Sequence, residues 1–384
     1  MEQQAEERRK APRGDAAWRI DTISDIGTLR RNAWRWLELE RECADPDAAF
    51  QSFAWCSAWA ETWCGTDGAA QLHIKLIYRG DTLMALLPLM TRKSEGVRVL
   101  TILGEPHTQI ANALMRPGGN HLDGIRLALA EAEYISGADV VQIGLLLESS
   151  PLANAFRTEN LREDPATLIA FLTWSGMKTG RDYIDALSKN RRKDFHRKLR
   201  MLEEHGAVSF ETIDASSYRF GETIRMALDW KRQWLAKNGM LCSGLTIPRV
   251  GEFLTGLSPW DGTFAPEVDI LSVGYDPVAF VINLTGNGCR HAWLSSYDDL
   301  YTPMSPGMLA HQFSIAASID AGLSTYSLLG YPTPFKETMS NETASLLRFE
   351  KAMTPRGAIW LRAWSNGVRP IAAAAARRFW KLVN

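Results

Sequence analysis

The sequence predicts an α/β protein of two halves, each a mixed, mainly antiparallel sheet flanked by helices. Segments of strand length are interleaved with longer segments whose apolar residues recur at helical spacing. The order of a strand pair, a helix and a further strand occurs twice, over residues 72–146 and over residues 269–329. The length of 384 residues also exceeds what one typical core holds. These three observations together predict two halves of similar topology.

Composition sets the predicted boundaries. Residues 1–17 are rich in charged side chains and poor in apolar ones, which predicts a disordered tail. We place the first half at residues 18–170 and the second at residues 171–365. The pattern after Pro370 predicts a C-terminal helix within residues 366–384. The formal net charge of −1 gives no overall attraction to nucleic acid or to an anionic membrane.

The cysteines and the hydropathy pattern predict the compartment. The five cysteines are scattered without the spacing of metal ligands, which predicts reduced thiols and no metal site. We find neither the apolar segment of a secretory signal nor a run of about 18 apolar residues that would span a membrane. We therefore expect a cytoplasmic protein without a transmembrane segment. The oligomeric state is not predicted by any of these features.

Three tryptophans form a stripe in the helix predicted over residues 53–64. Trp55, Trp59 and Trp63 recur every four residues and so share one face of that helix. One interpretation is a surface on which a sugar stacks. The other is a buried core, which is the commoner place for such a stripe and the interpretation that we favour.

Residues 269–336 carry the densest signals. Residues 278–284 and 290–296 predict two strands joined by a turn that contains Asn287-Gly288. A helix is predicted over residues 308–321, with Ser305 as its N-cap and Pro306 at its first position. Its unpaired N–H groups and its dipole favour an anion, and Gly307 would let a phosphate approach closely. The alternative is that these residues only cap the helix.

Several short motifs occur here in an order and spacing that resemble a known family. Their sequence resembles the C-terminal signature of GNAT acyltransferases of the CelD/BcsL type, also called BioF2-like, which are related to the FemAB-like transferases. Residues 187–193, 50–55 and 86–89 resemble further parts of that family, so the resemblance covers roughly residues 30–340. It implies two tandem GNAT-like halves. The C-terminal motifs are Tyr297-Asp298, Ser305-Pro306-Gly307, Ala321-Gly322-Leu323, Leu329-Gly330 and Phe335-Lys336.

The resemblance implies an acyl-CoA-dependent N- or O-acyltransferase that uses acetyl-CoA as co-substrate and no metal. The acceptor would be a small molecule or a saccharide that offers an amine or a hydroxyl, with a link to exopolysaccharide, cellulose or envelope biosynthesis. A backbone N–H of the strand near Leu294–Ser296 would bind the acyl carbonyl, and the start of the helix after Gly307 would bind the pyrophosphate. The implied cofactor-binding residues are Leu294, Ser296, Ser305, Gly307 and Met308.

The implied catalytic groups lie in the same stretch. Asp298 and His291 are candidate bases for the incoming amine or hydroxyl, and Tyr297, Tyr326 or Tyr331 are candidate acids for the departing thiolate. Lys336 is a candidate ligand for a phosphate or an acidic acceptor, and His107 of the first half would join the cleft. Each has a structural alternative: Asp298 as a turn cap, His291 as a buried structural histidine, and Lys336 as a surface ion pair.

The helix predicted over residues 181–205 has a basic outer face, and its meaning stays open. It is either a solvated surface or an anion-binding one, for the 3′-phosphate of CoA or for an RNA or polysaccharide partner. Nucleic acid is otherwise not expected. Transfer from an aminoacyl-tRNA, as in FemAB-like enzymes, is one alternative function, and a non-catalytic GNAT scaffold in a polysaccharide-assembly complex is another. The single glycine of Ser305-Pro306-Gly307 departs from the glycine-rich loop usual among GNAT proteins.

Overall fold

The computed structural model describes residues 17–64, 70–159, 161–240, 242–247, 249–258, 260, 262–330 and 333–363. The predicted disordered tail, apart from Ala17, and the predicted C-terminal helix over residues 366–384 lie outside the described residues.

The strands are short in the first half and long at the junction and in the second half. In chain order they are β1 (Trp18–Ile23), β2 (Ala70–Leu72), β3 (Ile74–Arg79), β4 (Thr82–Leu87), β5 (Leu89–Ser94), β6 (Val97–Ile102), β7 (Leu114–Met115), β8 (Val140–Leu147), β9 (Arg162–Thr173), β10 (Val208–Asp214), β11 (Phe264–Val273), β12 (Asp276–Gly286), β13 (Cys289–Tyr297), β14 (Thr325–Ser327) and β15 (Glu342–Ala352).

The helices lie between these strands, and two 3₁₀ helices cover Pro46–Gln51 and Asp299–Met304. The α-helices are α1 (Ile26–Arg31), α2 (Ala33–Cys43), α3 (Phe53–Trp63), α4 (Leu122–Ser136), α5 (Pro151–Arg157), α6 (Gly180–Ala186), α7 (Lys189–Glu203), α8 (Phe220–Lys237), α9 (Ser243–Thr246), α10 (Val250–Thr255), α11 (Pro306–Asp320), α12 (Pro334–Met339) and α13 (Pro355–Ala363).

The strands form two mainly antiparallel sheets, which confirms the predicted fold class. Among the described residues, eleven strands are ordered β10-β11-β12-β13-β14-β9-β15-β8-β6-β5-β2, and four more are ordered β1-β3-β4-β7. The pairs β6/β8 and β13/β14 are parallel, and the other paired strands are antiparallel.

The larger sheet runs through both halves, whereas the sequence predicts a separate sheet in each. The predicted boundary at residue 170 falls inside β9, which pairs with β14 on one side and with β15 on the other. β15 in turn pairs with β8 of the first half. The two long strands β9 and β15 therefore join the halves through backbone hydrogen bonds. How the chain divides into folding units stays a prediction.

Two of the three stripe tryptophans are buried between the halves and Trp63 is partly buried, which supports the interpretation as core. Trp55 is 1% exposed, and its ring meets Phe253 of α10 and Trp293 of β13 edge-on, at centroid distances of 4.8 and 5.9 Å. Trp59 is also buried, and Trp63 packs against the same cluster. Such edge-on aromatic contacts add to the free energy that burial of the rings supplies. The stripe thus packs the first half against the second.

Two predicted helices are each divided in the structure. The apolar spacing of residues 26–43 predicts one helix, and the structure has α1 and α2 there, separated at Asn32. The basic helix predicted over residues 181–205 is α6 and α7, because Ser188 leaves helical geometry and its side chain accepts a hydrogen bond from Arg191 N. Within the described ranges, no helix combines the length and the apolar character needed to cross a membrane.

Candidate active site

β13 and β14 run side by side over three residues and then separate. Residues 289–291 pair in parallel with residues 325–327. Beyond them, the part of β13 up to Tyr297 pairs with β12, and no described strand pairs with its other edge. The chain after β14 instead follows β9, where Leu328 N donates to Ala170 O. The result is a gap with the unpaired backbone of β13 along one wall, referred to below as the β13/β14 gap.

A β-bulge lies on β13 where the gap opens. In the register with β12, Ala292 lies opposite Asn283 and Leu294 lies opposite Ile282, so Trp293 is the extra residue. The Trp293 backbone oxygen accepts a hydrogen bond of 3.1 Å from Gln109 Nε2, and its indole N–H donates to the His107 carbonyl at 2.9 Å. A loop of the first half therefore lies directly against the bulge.

One side chain from each half fills the inner end of the β13/β14 gap. A Cβ placed on Gly330 would lie 3.0 Å from Lys336 Nζ and 3.5 Å from Gln109 Oε1. Lys336 Nζ donates a hydrogen bond to the carbonyl of Leu329, which follows β14. Gln109 carries no sequence signal that would have found it, because the chain fold alone brings it to β13.

The N-terminus of α11 lies at the end of β13, but Ser305 does not cap it through its side chain as predicted. Ser305 is left-handed, with φ 49 and ψ 55, because it also ends the 3₁₀ helix before it, and its hydroxyl makes no capping hydrogen bond. Its carbonyl accepts from the N–H groups of Met308 and Leu309. Among the described residues, the Gly307 N–H has no partner, so one N–H and the dipole of a 15-residue helix are available to an anion.

Gly307 is held against an aromatic ring. A Cβ at this position would lie 3.0 Å from Cδ1 of Tyr297, the last residue of β13. The Tyr297 ring is itself fixed, since its hydroxyl oxygen accepts a hydrogen bond of 3.1 Å from Trp234 Nε1 of α8. Gly307 therefore allows β13, α8 and α11 to meet closely. Its predicted role in the approach of a phosphate stays a prediction.

The basic helix α7 lies beside the start of α11. Lys198 Nζ is 3.8 Å from Met308 Sδ and forms an ion pair of 2.8 Å with Asp194. Seven basic and two acidic residues occur along α7, so its surface is strongly positive. This arrangement adds positive potential to the helix start. The exposed basic side chains of α7 are Lys189, Arg191, Lys193, Arg197 and Arg200.

A buried hydrogen-bond network lies in the wall formed by β11–β13, and two buried hydroxyls without a partner lie on β13 and β14. Asp269 of β11 is fully buried and accepts hydrogen bonds from Thr212, Asn283 and Ser314 of α11. Arg290 of β13 lies 3.5 Å from the same carboxylate. This network ties α11 to the strands that it covers, and so fixes the helix start relative to the gap. The two buried hydroxyls without a hydrogen-bond partner in the described structure belong to Ser296 and Ser327.

The predicted bases have different surroundings. Asp298 is partly exposed at the end of β13, where its carboxylate caps the 3₁₀ helix by accepting from Leu300 N at 2.9 Å. His291 is fully buried, and its Nε2 lies 2.7 Å from the Pro46 carbonyl oxygen. Burial lowers the pKa of His291 to about 4. The surroundings of His291 favour a structural histidine rather than a base, because the ring is fully buried and its Nε2 is bound to a backbone carbonyl.

His107, unlike His291, is engaged through both ring nitrogens. Trp59 Nε1 donates to its Nδ1 at 3.1 Å, and its Nε2 donates to the Gly244 carbonyl at 2.8 Å. Burial lowers the pKa of His107 to about 4, so the neutral ring is the stable form. His107 thus supports the loop that carries Gln109, and a direct contact with substrate has no support in this geometry. Tyr331 lies outside the described residues.

Sequence reasoning missed His311, which lies on the buried face of α11. Its Nδ1 is 2.8 Å from the Tyr326 hydroxyl, and its ring centroid is 5.2 Å from that of Phe335. Burial, with the nearby ammonium groups of Lys336 and Lys231, lowers the pKa of His311 to about 3. A histidine at an otherwise apolar helix position, one turn after a Ser-Pro-Gly start, was the available signal. Within the described residues, no group of His, Cys, Asp and Glu side chains is arranged to hold a metal ion.

Comparison with protein families assigns part of the chain. Residues 189–337, which include α7, β13, α11 and β14, match the family model described as an acetyltransferase (GNAT) domain. A search of curated protein sequences gives no match. The resemblance drawn from the motifs is thereby confirmed as far as a GNAT-type domain. Its assignment to the CelD/BcsL type stays a prediction.

Solved structures share the fold over both halves. FemX aligns with a TM-score of 0.58 at 8% identity, over 86% of this chain and 96% of FemX. The C-terminal DUF2156 domain of a protein described as a lysylphosphatidylglycerol synthetase from Agrobacterium fabrum gives 0.56 at 12% identity, over 88% and 96% of the two chains. A protein of unknown function from Bacteroides thetaiotaomicron gives 0.51 at 11%, over 86% and 99%. These likenesses show a common fold.

Proposed function

We propose that the protein is an acyl-CoA-dependent N- or O-acyltransferase, with acetyl as the expected acyl group and an amine or hydroxyl as the acceptor. The β13/β14 gap carries this proposal, since it combines an unpaired strand edge with a helix N-terminus at its open end. The match of residues 189–337 to a GNAT domain supports it.

The two ends of the gap suit the two ends of a thioester cofactor. The unpaired edge of β13 offers hydrogen-bond groups to an extended chain and a donor to the acyl carbonyl at Ser295 and Tyr297, because the backbone groups of the predicted Leu294 and Ser296 face β12. The Gly307 N–H and the dipole of α11 would hold phosphate groups, with added positive potential from α7, whose Lys198 is paired with Asp194. This division assigns the acyl group to the inner end of the gap.

Tyr297 and Asp298, the predicted proton-handling groups, lie at the open end of the gap beside Gly307, which is the phosphate end of the proposed cofactor. Because Trp234 Nε1 donates to the Tyr297 oxygen, the hydroxyl hydrogen of Tyr297 remains available to a phosphate oxygen. We therefore do not assign the acid and the base of the transfer to these two residues. Lys336 and Gln109 border the inner end of the gap, where the acceptor would meet the acyl group.

Transfer from an aminoacyl-tRNA is the second candidate, and the basic face of α7 favours it. That helix presents exposed cations beside the gap, which also suits the phosphates of an RNA. A FemAB-like enzyme would then use the same gap for the acyl group of the tRNA. Under this alternative, neutralising Lys189, Arg191, Arg192 and Lys193 together would abolish tRNA binding. The third candidate function is that of a non-catalytic scaffold in a polysaccharide-assembly complex.

An acceptor screen tests the proposed function. The protein is incubated with acetyl-CoA and a panel of amines, amino sugars and neutral saccharides, and the release of the CoA thiol is followed together with the mass of each acceptor. We expect acceptor-dependent thiol release and a mass gain of one acetyl group. A parallel arm offers aminoacyl-tRNA as donor. Transfer from tRNA alone would replace the proposed donor, and absence of transfer from both would favour the scaffold.

A further inference from the structure

The first half contains a surface cavity of its own, with a volume of about 400 Å³. The cavity lies between the loop of residues 116–121, the start of α4 and the start of α5, and all the residues that line it belong to the first half. Cavities that bind small molecules usually hold about 300–1,000 Å³ and combine apolar walls with a few polar groups. Met115, Leu122 and Ile125 form the apolar part of the wall here.

The loop before α4 offers backbone hydrogen-bond donors to this cavity. Its Gly118 is left-handed, with φ 76. Among the described residues, the N–H groups of Gly118, Gly119 and Asn120 have no hydrogen-bond partner, and all three residues line the cavity. Because α4 is 15 residues long, the positive end of its dipole adds to these donors. Such a helix start favours a phosphate group.

His121 is an independent sign that the cavity receives a ligand. Its side chain lines the cavity, and the residue is 9% exposed. Its Nε2 lies 2.7 Å from the Arg116 carbonyl oxygen and therefore carries the hydrogen, and burial lowers the pKa of the ring, so the ring is neutral. Nδ1 then presents a lone pair, and it has no hydrogen-bond partner in the described structure. A buried acceptor of this kind is costly unless a donor reaches it.

The loop and the histidine ring border the same part of the cavity. A Cβ on Gly119 would lie 2.6 Å from Cε1 of His121, the ring atom next to Nδ1. The ligand of this region must therefore satisfy unpaired N–H donors and an unpaired ring acceptor at once. A phosphate ester that also carries hydroxyl groups meets both needs, because its phosphate oxygens accept and its hydroxyls donate.

Asp45 adds a second acceptor to the lining. Its carboxylate is fixed, since the two oxygens accept from Asn112 Nδ2 and from Asp47 N, each at 2.9 Å. Each oxygen keeps a lone pair for a further donor. A carboxylate binds hydroxyl groups but repels a phosphate at short range. Asp45 therefore favours a ligand whose hydroxyls lie toward it and whose phosphate lies away from it.

We propose that this cavity binds a phosphorylated sugar, independently of acyl transfer in the β13/β14 gap. The phosphate would lie at the N–H groups of residues 118–120, and the sugar hydroxyls would donate to His121 Nδ1 and to the Asp45 carboxylate. A free sugar lacks the first set of contacts, and inorganic phosphate lacks the second. The site also adjoins the second half, because the Asp45 carbonyl oxygen accepts from Asn287 Nδ2 of the β12–β13 turn at 3.2 Å.

Calorimetric titration of the full chain with glucose 6-phosphate, glucose and inorganic phosphate tests this proposal. We expect saturable binding of glucose 6-phosphate, tighter by about tenfold or more than that of the other two compounds. Asn154→Trp places a large ring at an exposed position of α5 that lines the cavity, and it should weaken glucose 6-phosphate binding by about tenfold or more. Thr158→Trp adds the same ring at an exposed position outside the lining and should bind as the wild type does.

His121→Phe separates the sugar contacts from the phosphate contacts. This variant should lose much of the preference for glucose 6-phosphate over inorganic phosphate, because it lacks the Nδ1 acceptor. Absence of saturable binding by the wild type, equal binding by the wild type and Asn154→Trp, or inorganic phosphate that binds as tightly as glucose 6-phosphate would overturn the proposal.

A further titration with saturating coenzyme A distinguishes the source of the phosphate. Binding of glucose 6-phosphate that persists supports a separate sugar-phosphate site. Loss of that binding, with coenzyme A itself bound more weakly by Asn154→Trp, would assign the cavity to the phosphates of the cofactor and overturn the sugar assignment.

Discussion

Asp269→Ala is expected to lose about 3–5 kcal/mol of unfolding free energy, the usual effect of removing one partner of a buried ion pair. The Asp269 carboxylate is fully buried and accepts hydrogen bonds from Thr212, Asn283 and Ser314. Its loss leaves the hydroxyls of Thr212 and Ser314 without this acceptor. Arg290, itself 4% exposed, keeps a single acidic partner, Glu267. Urea unfolding followed by circular dichroism measures the change.

Asp276→Ala is the matched control for this variant. Asp276 is the exposed first residue of β12, in the hairpin with β11, so its removal should change the unfolding free energy by less than about 0.5 kcal/mol. A loss below about 1 kcal/mol in Asp269→Ala would show that the buried network does not hold α11 on the sheet.

Gly307→Val is expected to bind acetyl-CoA about tenfold more weakly or worse, since overpacking of this kind costs about 1–3 kcal/mol. The added Cβ would lie 3.0 Å from the Tyr297 ring, which Trp234 holds in place. The start of α11 must then move away from β13, and the Gly307 N–H moves with it. Calorimetric titration with acetyl-CoA measures the effect.

Gly251→Ala controls for the loss of a helical glycine. Its added Cβ would find its nearest neighbour, Leu228, at 3.9 Å, which is an ordinary contact. We expect this variant to bind acetyl-CoA as the wild type does. Equal binding by Gly307→Val would mean that the cofactor does not depend on the start of α11.

Local signals predicted the central stretch well. Apolar strands, an Asn-Gly turn and a proline at the first helical position predict β12, β13 and a helix over residues 308–321, and the structure has α11 at Pro306–Asp320. Each of these signals acts within a few residues, so it can be interpreted without the rest of the fold. The prediction that the Ser305 side chain caps α11 is wrong, because the preceding 3₁₀ helix fixes the backbone of Ser305.

Pairing between distant strands was not predictable in the same way. β9 and β15 lie side by side although about 180 residues of sequence, on the order of a whole domain, separate them. The apolar pattern of either strand does not identify its partner, because the pattern reflects which residues are buried and not which strand lies alongside. The continuity of the large sheet through both halves therefore became visible only in the structure.

The sequence predicts the part of the candidate site that lies within one local motif, and it does not predict the part that tertiary packing brings there. Tyr297, Asp298 and Gly307 lie within one local motif, so the sequence identified the end of β13 and the start of α11. Gln109 reaches the gap from the first half. Its position depends on tertiary packing, and it belongs to no motif.

Hydrogen exchange with and without acetyl-CoA tests the central claim most directly, because it reports where the cofactor binds. We predict slower amide exchange at residues 292–297 of β13 and at residues 307–309 of α11 when acetyl-CoA is bound, with the strands of the first half unchanged. Unchanged exchange at both of these segments, with protection elsewhere or none at all, would contradict binding in the β13/β14 gap.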